Sequence, residues 1–395
     1  MSTADGGAAE AAASWVRVAL AMFAVGWGAN QFSPMLIVYR HELGLGPGAV
    51  AGLFGIYAAT LIPGLLIGGP ASDRFGRRAV VLPFVALSPL ATLLLAAGPR
   101  SLPLIAAGRA LAGLCSGVVF GAATAWVQEL SHGSGLSARR AALALTAGFG
   151  LGPVVAAVLA QSVSDPLVIP YLPHLAIGVV AAVILWPVPG TGTHHATARR
   201  RWPPAAVRTL RFWLTVALPA PVVFGSMSVA IVVLPEEVTS ARTLSVGFAG
   251  LMTALAFAAG TGVQPLARRL EARRGHAAIV AGLGCAAAGA AVGIAAVTSA
   301  GRLLAGTGAV LLGLAYGLCL VSGLRQAEHL AGAHDRGAVV ACYFALSYAG
   351  FAAPYAVDGL NSVLGRGGAF ALLAAAVAAL TAWMAWHARQ SGGAA

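Results

Sequence analysis

Charge is scarce in this chain: 9% of its 395 residues are Asp, Glu, Lys or Arg, and lysine is absent. A soluble domain carries roughly a quarter of charged residues, so a soluble enzyme or soluble binding module is excluded. Cysteine is scarce as well. Cys115, Cys285, Cys319 and Cys342 fall inside apolar runs, at spacings that fit neither a disulfide framework nor a zinc site, and read as small packing residues. The 12 acids are Asp5, Glu10, Glu42, Asp73, Glu129, Asp165, Glu236, Glu237, Glu271, Glu328, Asp335 and Asp358. All lie in the N-terminal tail, in loops or at the ends of apolar runs, so no carboxylate is placed mid-membrane, where proton-driven carriers commonly hold one. There is no H-E-x-x-H, no acidic pair within a run and no reactive-cysteine setting. Without a clustered nucleophile, base or metal site, a membrane-embedded enzyme is not expected, nor is a cofactor. The chain also lacks a basic segment and short apolar core of the kind that marks a cleaved leader.

Apolar residues make up 59% of the sequence. Twelve runs are long enough to cross a bilayer, near 15–39, 48–69, 78–98, 102–128, 141–162, 167–187, 211–235, 245–266, 276–298, 301–324, 337–358 and 367–387. Backbone groups in lipid must bond internally, so these runs are predicted to be helices. The expected fold class is an all-α membrane protein with twelve transmembrane helices.

The net charge of +12 is carried by arginine. Nucleic-acid binding is one meaning of such a balance, but these arginines sit in short loops and alternate in density. Arg74, Arg77 and Arg78, then Arg139 and Arg140, then Arg199 to Arg201, Arg208 and Arg211, then Arg268, Arg269, Arg273 and Arg274, then Arg325 and Arg336 occupy every second loop. The intervening loops hold single arginines: Arg40, Arg100, Arg242, Arg302 and Arg366. By the positive-inside rule the rich side is cytoplasmic and both termini lie there. Trp15, Trp126, Trp186, Trp213, Trp383 and Trp386 fall at that same side, where indoles favour the headgroup layer. A bacterial plasma membrane is the expected location, with no nucleic-acid partner.

The longest loop, 188–210, separates an N-terminal bundle, 1–187, from a C-terminal one, 211–395, and reads as a solvated basic linker. His194 and His195 within it are too few for a metal site. The halves echo each other at an offset near 200: Gly113, Gly117 and Leu130 match Gly313, Gly317 and Leu330, and Pro153 matches Pro354. Glu129 and Glu328 fall at matching ends, near Arg139 and Arg336, and are candidates for salt bridges between the halves.

Three motifs carry chemistry. The loop after the second run reads Gly69-Pro70-Ala71-Ser72-Asp73-Arg74-Phe75-Gly76-Arg77-Arg78. An aspartate at the membrane surface is stabilised by a helix N-terminus or an arginine. Gly69 permits close helix approach and Gly76 a tight turn. In the fourth run Arg109 lies about 10 Å inside the outer end at 1.5 Å per residue. Such a cation costs about 2.5–3.5 kcal/mol on insertion scales and needs a partner or water. Gly113, Gly117 and Gly121 share its face, which points into the bundle. The fifth run contains Gly148-Phe149-Gly150-Leu151-Gly152-Pro153, where proline removes a backbone bond and permits a bend.

Together these resemble the Major Facilitator Superfamily. The loop matches its signature G-x-L-a-D-R-x-G-R-R, departing at Pro70 and Ala71. Arg109 to Gly113 resembles the fourth-helix pattern R-x-x-Q-G, with Ala112 in place of Gln. Gly148 to Ala157 resembles G-x-x-x-G-P-x-x-G-G of proton-coupled exporters, with Ala156 and Ala157 closing it. The resemblance implies two six-helix bundles that rock around a midplane cavity lined by the first, fourth, seventh and tenth helices. It implies a cytoplasmic latch at Gly69, Asp73, Arg74, Gly76, Arg77 and Arg78, the alternative being a loop that only sets topology. It assigns Arg109 to coupling or substrate charge, the alternative being a snorkelling side chain. Gly148, Gly152 and Pro153 favour export of drug-like or natural-product-like molecules in exchange for protons by a functional monomer. An importer or uniporter of a metabolite on the same fold is the alternative.

Trp27, Asn30 and Gln31 lie mid-run in the first helix and either line a cavity or bind neighbouring helices. Tyr57, Ser226, Tyr316 and Tyr348 are further lining candidates, with Ser228 and Tyr343 beside them. His174 is expected to be structural.

Overall fold

The computed structural model describes residues 3–98, 101–131, 137–191, 203–238, 246–273, 275–331 and 336–392. Every regular element among them is helical. The first crossing, α1, runs from Thr3–Asn30 and resumes as Phe32–Leu43. Ten long apolar helices follow its pattern: α2 (Gly48–Phe75), α3 (Arg77–Ala97), α4 (Leu102–Leu130), α5 (Arg140–Ser162), α7 (Leu210–Val238), α8 (Val246–Arg273), α9 (Ala277–Ser299), α10 (Arg302–Leu330), α11 (Ala338–Gly365) and α12 (Gly367–Gln390). The shorter α6 (Ile169–Leu185) completes the set. All twelve expected runs therefore fall on helices, and the fold is the twelve-helix membrane architecture. Leu93, Val158, Val180, Val183 and Leu303 stay exposed on these helices, as side chains facing lipid should. Of the expected linker, residues 192–202 lie outside the described part, and with them His194, His195 and Arg199 to Arg201.

The chain divides into two compact units, Met1–Leu45 with Gly52–Arg200, and Gly46–Ala51 with Arg201–Ala395. In the first, α1 packs on α4, α5 and α6, and α3 packs on α4 and α6. In the second, α7 packs on α10 and α11, and α9 packs on α10 and α12. The same pairings recur at the 200-residue offset.

Lipid gives helices no hydrophobic reason to associate, so small residues that let backbones touch decide the contacts. A Cβ on Gly113 or Gly117 of α4 would run into the carbonyls of Tyr57 and Leu61 of α2. A Cβ on Gly313 or Gly317 of α10 would meet the carbonyls of Ala256 and Gly260 of α8. Gly121 is different, since a Cβ there would make only an ordinary 3.5 Å contact with Leu65. The glycine face of α4 thus seats α2, and only two of its three glycines are needed for close approach.

Proline shapes the helices that depart from regular geometry. In α7, two wide π turns, Trp213–Ala217 and Val229–Val233, stand next to Pro219 and Pro221 and just before Pro235. Proline cannot donate the i to i−4 bond, and a π turn shifts the ladder by one rung. In α11 a 3-10 turn, Ala349–Ala352, precedes Pro354.

Candidate functional site

The loop between α2 and α3 is a compact charged knot. Gly76 takes φ 91°, a conformation that favours glycine. The turn brings Arg77 back over the end of α2. Its Nη1 donates to Asp73 Oδ1 at 2.5 Å and to Ser72 Oγ at 2.6 Å. Its Nε and Nη2 donate to Glu129 Oε1, at the end of α4, at 3.0 and 2.8 Å. The second carboxylate oxygen of Glu129 accepts from Thr191 Oγ1 at 2.5 Å, and the Thr191 carbonyl accepts from the Arg77 N–H at 3.1 Å. Arg78 donates to the Trp186 carbonyl at 2.8 Å, and Arg74 lies 5.1 Å from the Phe75 ring. Gly69 is open around its Cα, so its absent side chain is not required for packing within this unit. Glu129 is thus engaged inside the first unit by Arg77 and Thr191. The reason is geometric: the tight turn at Gly76 returns Arg77 to the end of α4. The Arg139 and Arg336 side chains lie outside the described residues.

Arg109 is 1% exposed. Its guanidinium lies between two rings, 4.2 Å from the centroid of Phe32 and 4.4 Å from that of Tyr57. Its edge donates to the carbonyls of Leu53 at 3.1 Å and Ala29 at 3.3 Å. Aromatic faces and backbone carbonyls replace the water that a buried cation would need. No carboxylate pairs with it among the described residues. Tyr57 is therefore one wall of the arginine box.

Asn30 and Gln31 are neighbours in sequence but not in function. Pro153 cannot donate to the Phe149 carbonyl four residues back. Asn30 Nδ2 of α1 supplies that bond instead, at 2.9 Å. Gly148 and Gly152 make room for the crossing, since a Cβ on either would strike the backbone of Phe23 or Trp27. The Gly148 to Pro153 motif of α5 is thus a docking joint for α1. The second unit repeats it. Pro354 cannot donate to the Gly350 carbonyl four residues back; that carbonyl accepts instead from the Ala353 N–H of the 3-10 turn and from Ser228 Oγ of α7 at 3.3 Å, the hydroxyl also reaching Gly225 O at 3.0 Å. Gly350 lies so close to Pro221 and Gly225 that a Cβ has no space.

Gln31 turns the other way. Its Nε2 donates to Thr92 Oγ1 at 3.2 Å, and Thr92 bonds His174 Nδ1 at 2.7 Å. Gly28 leaves the space that the His174 ring fills. These groups form a buried polar chain joining α1, α3 and α6. Trp27 is buried against Phe23, and its Nε1 has no partner among the described residues.

In the second unit Tyr316 and Tyr348 meet around Phe224. The Phe224 and Tyr348 rings stack at 4.1 Å with a 10° interplanar angle. Tyr316 lies 5.7 Å from Phe224, and Phe257 lies 6.1 Å from Tyr316. Phe351 closes the group, 5.3 Å from Phe224. Ser226 is buried two residues on. Tyr343 is separate, its hydroxyl donating to the Cys319 and Leu320 carbonyls at 3.2 and 3.1 Å. Sequence reasoning missed Phe224, Phe257 and Phe351, because a phenylalanine inside an apolar run carries no mark of its neighbours. It also missed Thr191 and the partnership of Arg77 with Glu129.

A family profile described as Major Facilitator Superfamily matches residues 18–355. No curated protein sequence gives a significant match. Among solved structures, that of a mutant nucleoside transporter NupG superposes with a TM-score of 0.75 at 10% identity, covering 94% of this chain and 98% of that one. A POT family transporter in complex with a thioalcohol-conjugated peptide gives 0.78 at 12% identity, covering 95% and 96%. A POT family transporter in complex with 5-aminolevulinic acid gives 0.76 at 12% identity, with the same coverage. At these identities the likeness is one of fold.

Proposed function

Because the chain belongs to the Major Facilitator Superfamily, and is a multi-pass membrane transporter by family and fold, we propose that it exports a small organic molecule from the bacterial cytoplasm in exchange for protons. The observation that carries the direction is the α1–α5 joint. Gly148, Gly152 and Pro153 seat the Trp27 backbone and leave a carbonyl for Asn30, and this motif is the part of the sequence that resembles exporters. The two bundles, 1–187 and 211–395, act as the moving halves in alternating access. The arginine-rich loops face the cytoplasm. Arg77, tied to Asp73 and Glu129, holds the ends of α2, α3 and α4 together as the first half of a cytoplasmic latch. Arg109 supplies a fixed positive charge that biases either proton release or the substrate's charge, because it has no carboxylate partner among the described residues.

One observation favours a second reading, facilitated uptake or uniport. Within the described spans no acid lies at mid-helix: Glu236 and Glu237 close α7, Glu129 and Glu328 close α4 and α10, Asp73 and Glu271 lie near the ends of α2 and α8, and Asp358 lies exposed two turns before the end of α11. Reconstitution separates the two. The purified protein in liposomes loaded with the pH dye pyranine is exposed to a panel of aromatic and aliphatic drugs and metabolites. For an exporter, some compound moves protons in the opposite direction and accumulates against its gradient when a pH difference is imposed. Compound flux that equilibrates identically with and without the pH difference would establish the uniport reading instead.

A further inference from the structure

We propose that the aromatic group of the second unit, Phe224, Phe257, Tyr316 and Tyr348 with Phe351, is a stacking site for a planar aromatic substrate. The proposal rests on the transport reading above and specifies its substrate class.

Four observations support it. First, the group sits at mid-membrane. Phe224 and Tyr316 are the central residues of α7 (Leu210–Val238) and α10 (Arg302–Leu330), and the others lie within about 5 Å of mid-helix at 1.5 Å per residue. That is the depth at which transporters of this kind hold substrate.

Second, packing does not demand these rings. In the register set by the two proline joints, where Asn30 matches Ser228 and Pro153 matches Pro354, Phe224 and Tyr348 stand where the first unit has Gly26 and Ala147; at the 200-residue offset of α4 and α10, Tyr316 stands where it has Ser116. The first unit makes the same helix pairings with those small residues. The second unit has therefore gained aromatic surface that the shared architecture does not need.

Third, the backbone is irregular here. Phe224 lies between the two π turns of α7, and Tyr348 leads into the 3-10 turn of α11 that contains Phe351. Interrupted helices mark binding sites in transporters, and π turns recur at functional positions.

Fourth, the other deeply buried tyrosines have bonded hydroxyls: Tyr39 with Tyr171, and Tyr343 with two carbonyls. The Tyr316 hydroxyl, on a residue only 4% exposed, has no partner among the described residues. A donor and acceptor left open beside stacked rings suits a ligand that is flat and carries a polar edge.

The test uses the full-length protein purified in detergent, with no ion gradient, so it does not depend on the direction or coupling of transport. Binding of tritiated 2-naphthol and 2-naphthoate is measured by equilibrium dialysis against empty micelles. Each is compared with its decahydro analogue, which keeps the carbon skeleton and polar group but not the flat π face. The planar probes should bind saturably, and the saturated ones roughly tenfold or more weakly, the value of one or two aromatic pairs. Phe224→Leu should weaken the planar probes by about tenfold. Tyr316→Phe, which keeps the ring, should weaken 2-naphthol severalfold. Phe370→Leu, a buried aromatic of the same unit outside the group, should leave binding unchanged. Should Phe224→Leu fail to fold, Tyr316→Phe decides. Absence of saturable binding by both planar probes, equal binding of planar and saturated partners, or Tyr316→Phe and folded Phe224→Leu binding like the parent overturns the stacking site. None of those results bears on proton-driven export, which the liposome assay tests separately.

Discussion

The joint between α1 and α5 offers the sharpest test of how this fold is held together. Replacing Asn30 with Ala removes the side-chain donor to the Phe149 carbonyl, which Pro153 cannot serve. A polar backbone group left unpaired costs about 1–3 kcal/mol. Interhelical hydrogen bonds in membrane proteins are worth about 0.6 kcal/mol on average and up to about 1.7. The Asn30–Phe149 bond is 2.9 Å and partly buried, so Asn30→Ala should destabilise by about 1–2 kcal/mol. Pro153→Ala restores an N–H at position 153, which can bond Phe149 O within α5. In that background Asn30→Ala should cost only a few tenths, giving a coupling of about 1 kcal/mol in the double-mutant cycle. The free cysteines report unfolding, because Cys115 and Cys319 are buried and react with a maleimide dye only when the protein opens. Unfolding by graded denaturant in detergent, followed by dye reaction, supplies the four stabilities. Strictly additive effects would refute the idea that Asn30 serves the carbonyl orphaned by the proline. The same cycle with Ser228→Ala and Pro354→Ala should show weaker coupling, about 0.5 kcal/mol, because the Ala353 N–H also serves the Gly350 carbonyl and the Ser228 hydroxyl is shared between Gly225 and Gly350.

Glycine contacts give a second contrast: Gly317→Ala should sharply reduce the folded yield, since its Cβ would enter the Gly260 carbonyl, whereas Gly121→Ala should be tolerated. Fluorescence-detected size exclusion measures both, and equal yields would contradict the close-approach argument. Arg109→Lys should keep the protein folded but abolish flux in the pyranine assay, because an ammonium cannot lie flat between Phe32 and Tyr57 and reach both Leu53 and Ala29 carbonyls. Parental flux and pH response in that variant would return Arg109 to a purely structural role. His276, in the turn between α8 and α9, has its pKa pushed below the ordinary 6.5 by burial and by the charges of His387 and Arg211. The unfolded chain then takes up its proton first, so this stability is intact above about pH 6.5 and declines as pH falls toward the folded-state value. His276→Gln should flatten that acid limb of the melting profile, and an unchanged pH slope would remove the assignment.

The crossings were readable because each is a property of composition over twenty residues, and the glycine pairs because a backbone contact admits no other residue. The proline joints could have been read too. A proline in a membrane helix names, four residues back, a carbonyl that must find a donor. The sequence therefore pointed to positions 149 and 350 before any neighbour was known, though it could not say that Asn30 would answer at one and that a 3-10 turn with Ser228 would answer at the other. What stayed hidden depended on direction. Asn30 and Gln31 look like one polar pair, yet consecutive helical residues point about 100° apart. One side chain reaches α5 and the other reaches Thr92 and His174. Glu129 and Arg77 are 52 residues apart, and only the turn at Gly76 brings the arginine back to α4. Phe224, Phe257 and Phe351 carried no signal, because hydropathy scores a ring at mid-membrane as it scores any core residue. Comparison of the two halves restores that signal: where Gly26, Ser116 and Ala147 suffice for packing in one repeat, the rings at 224, 316 and 348 in the other must answer to something besides packing.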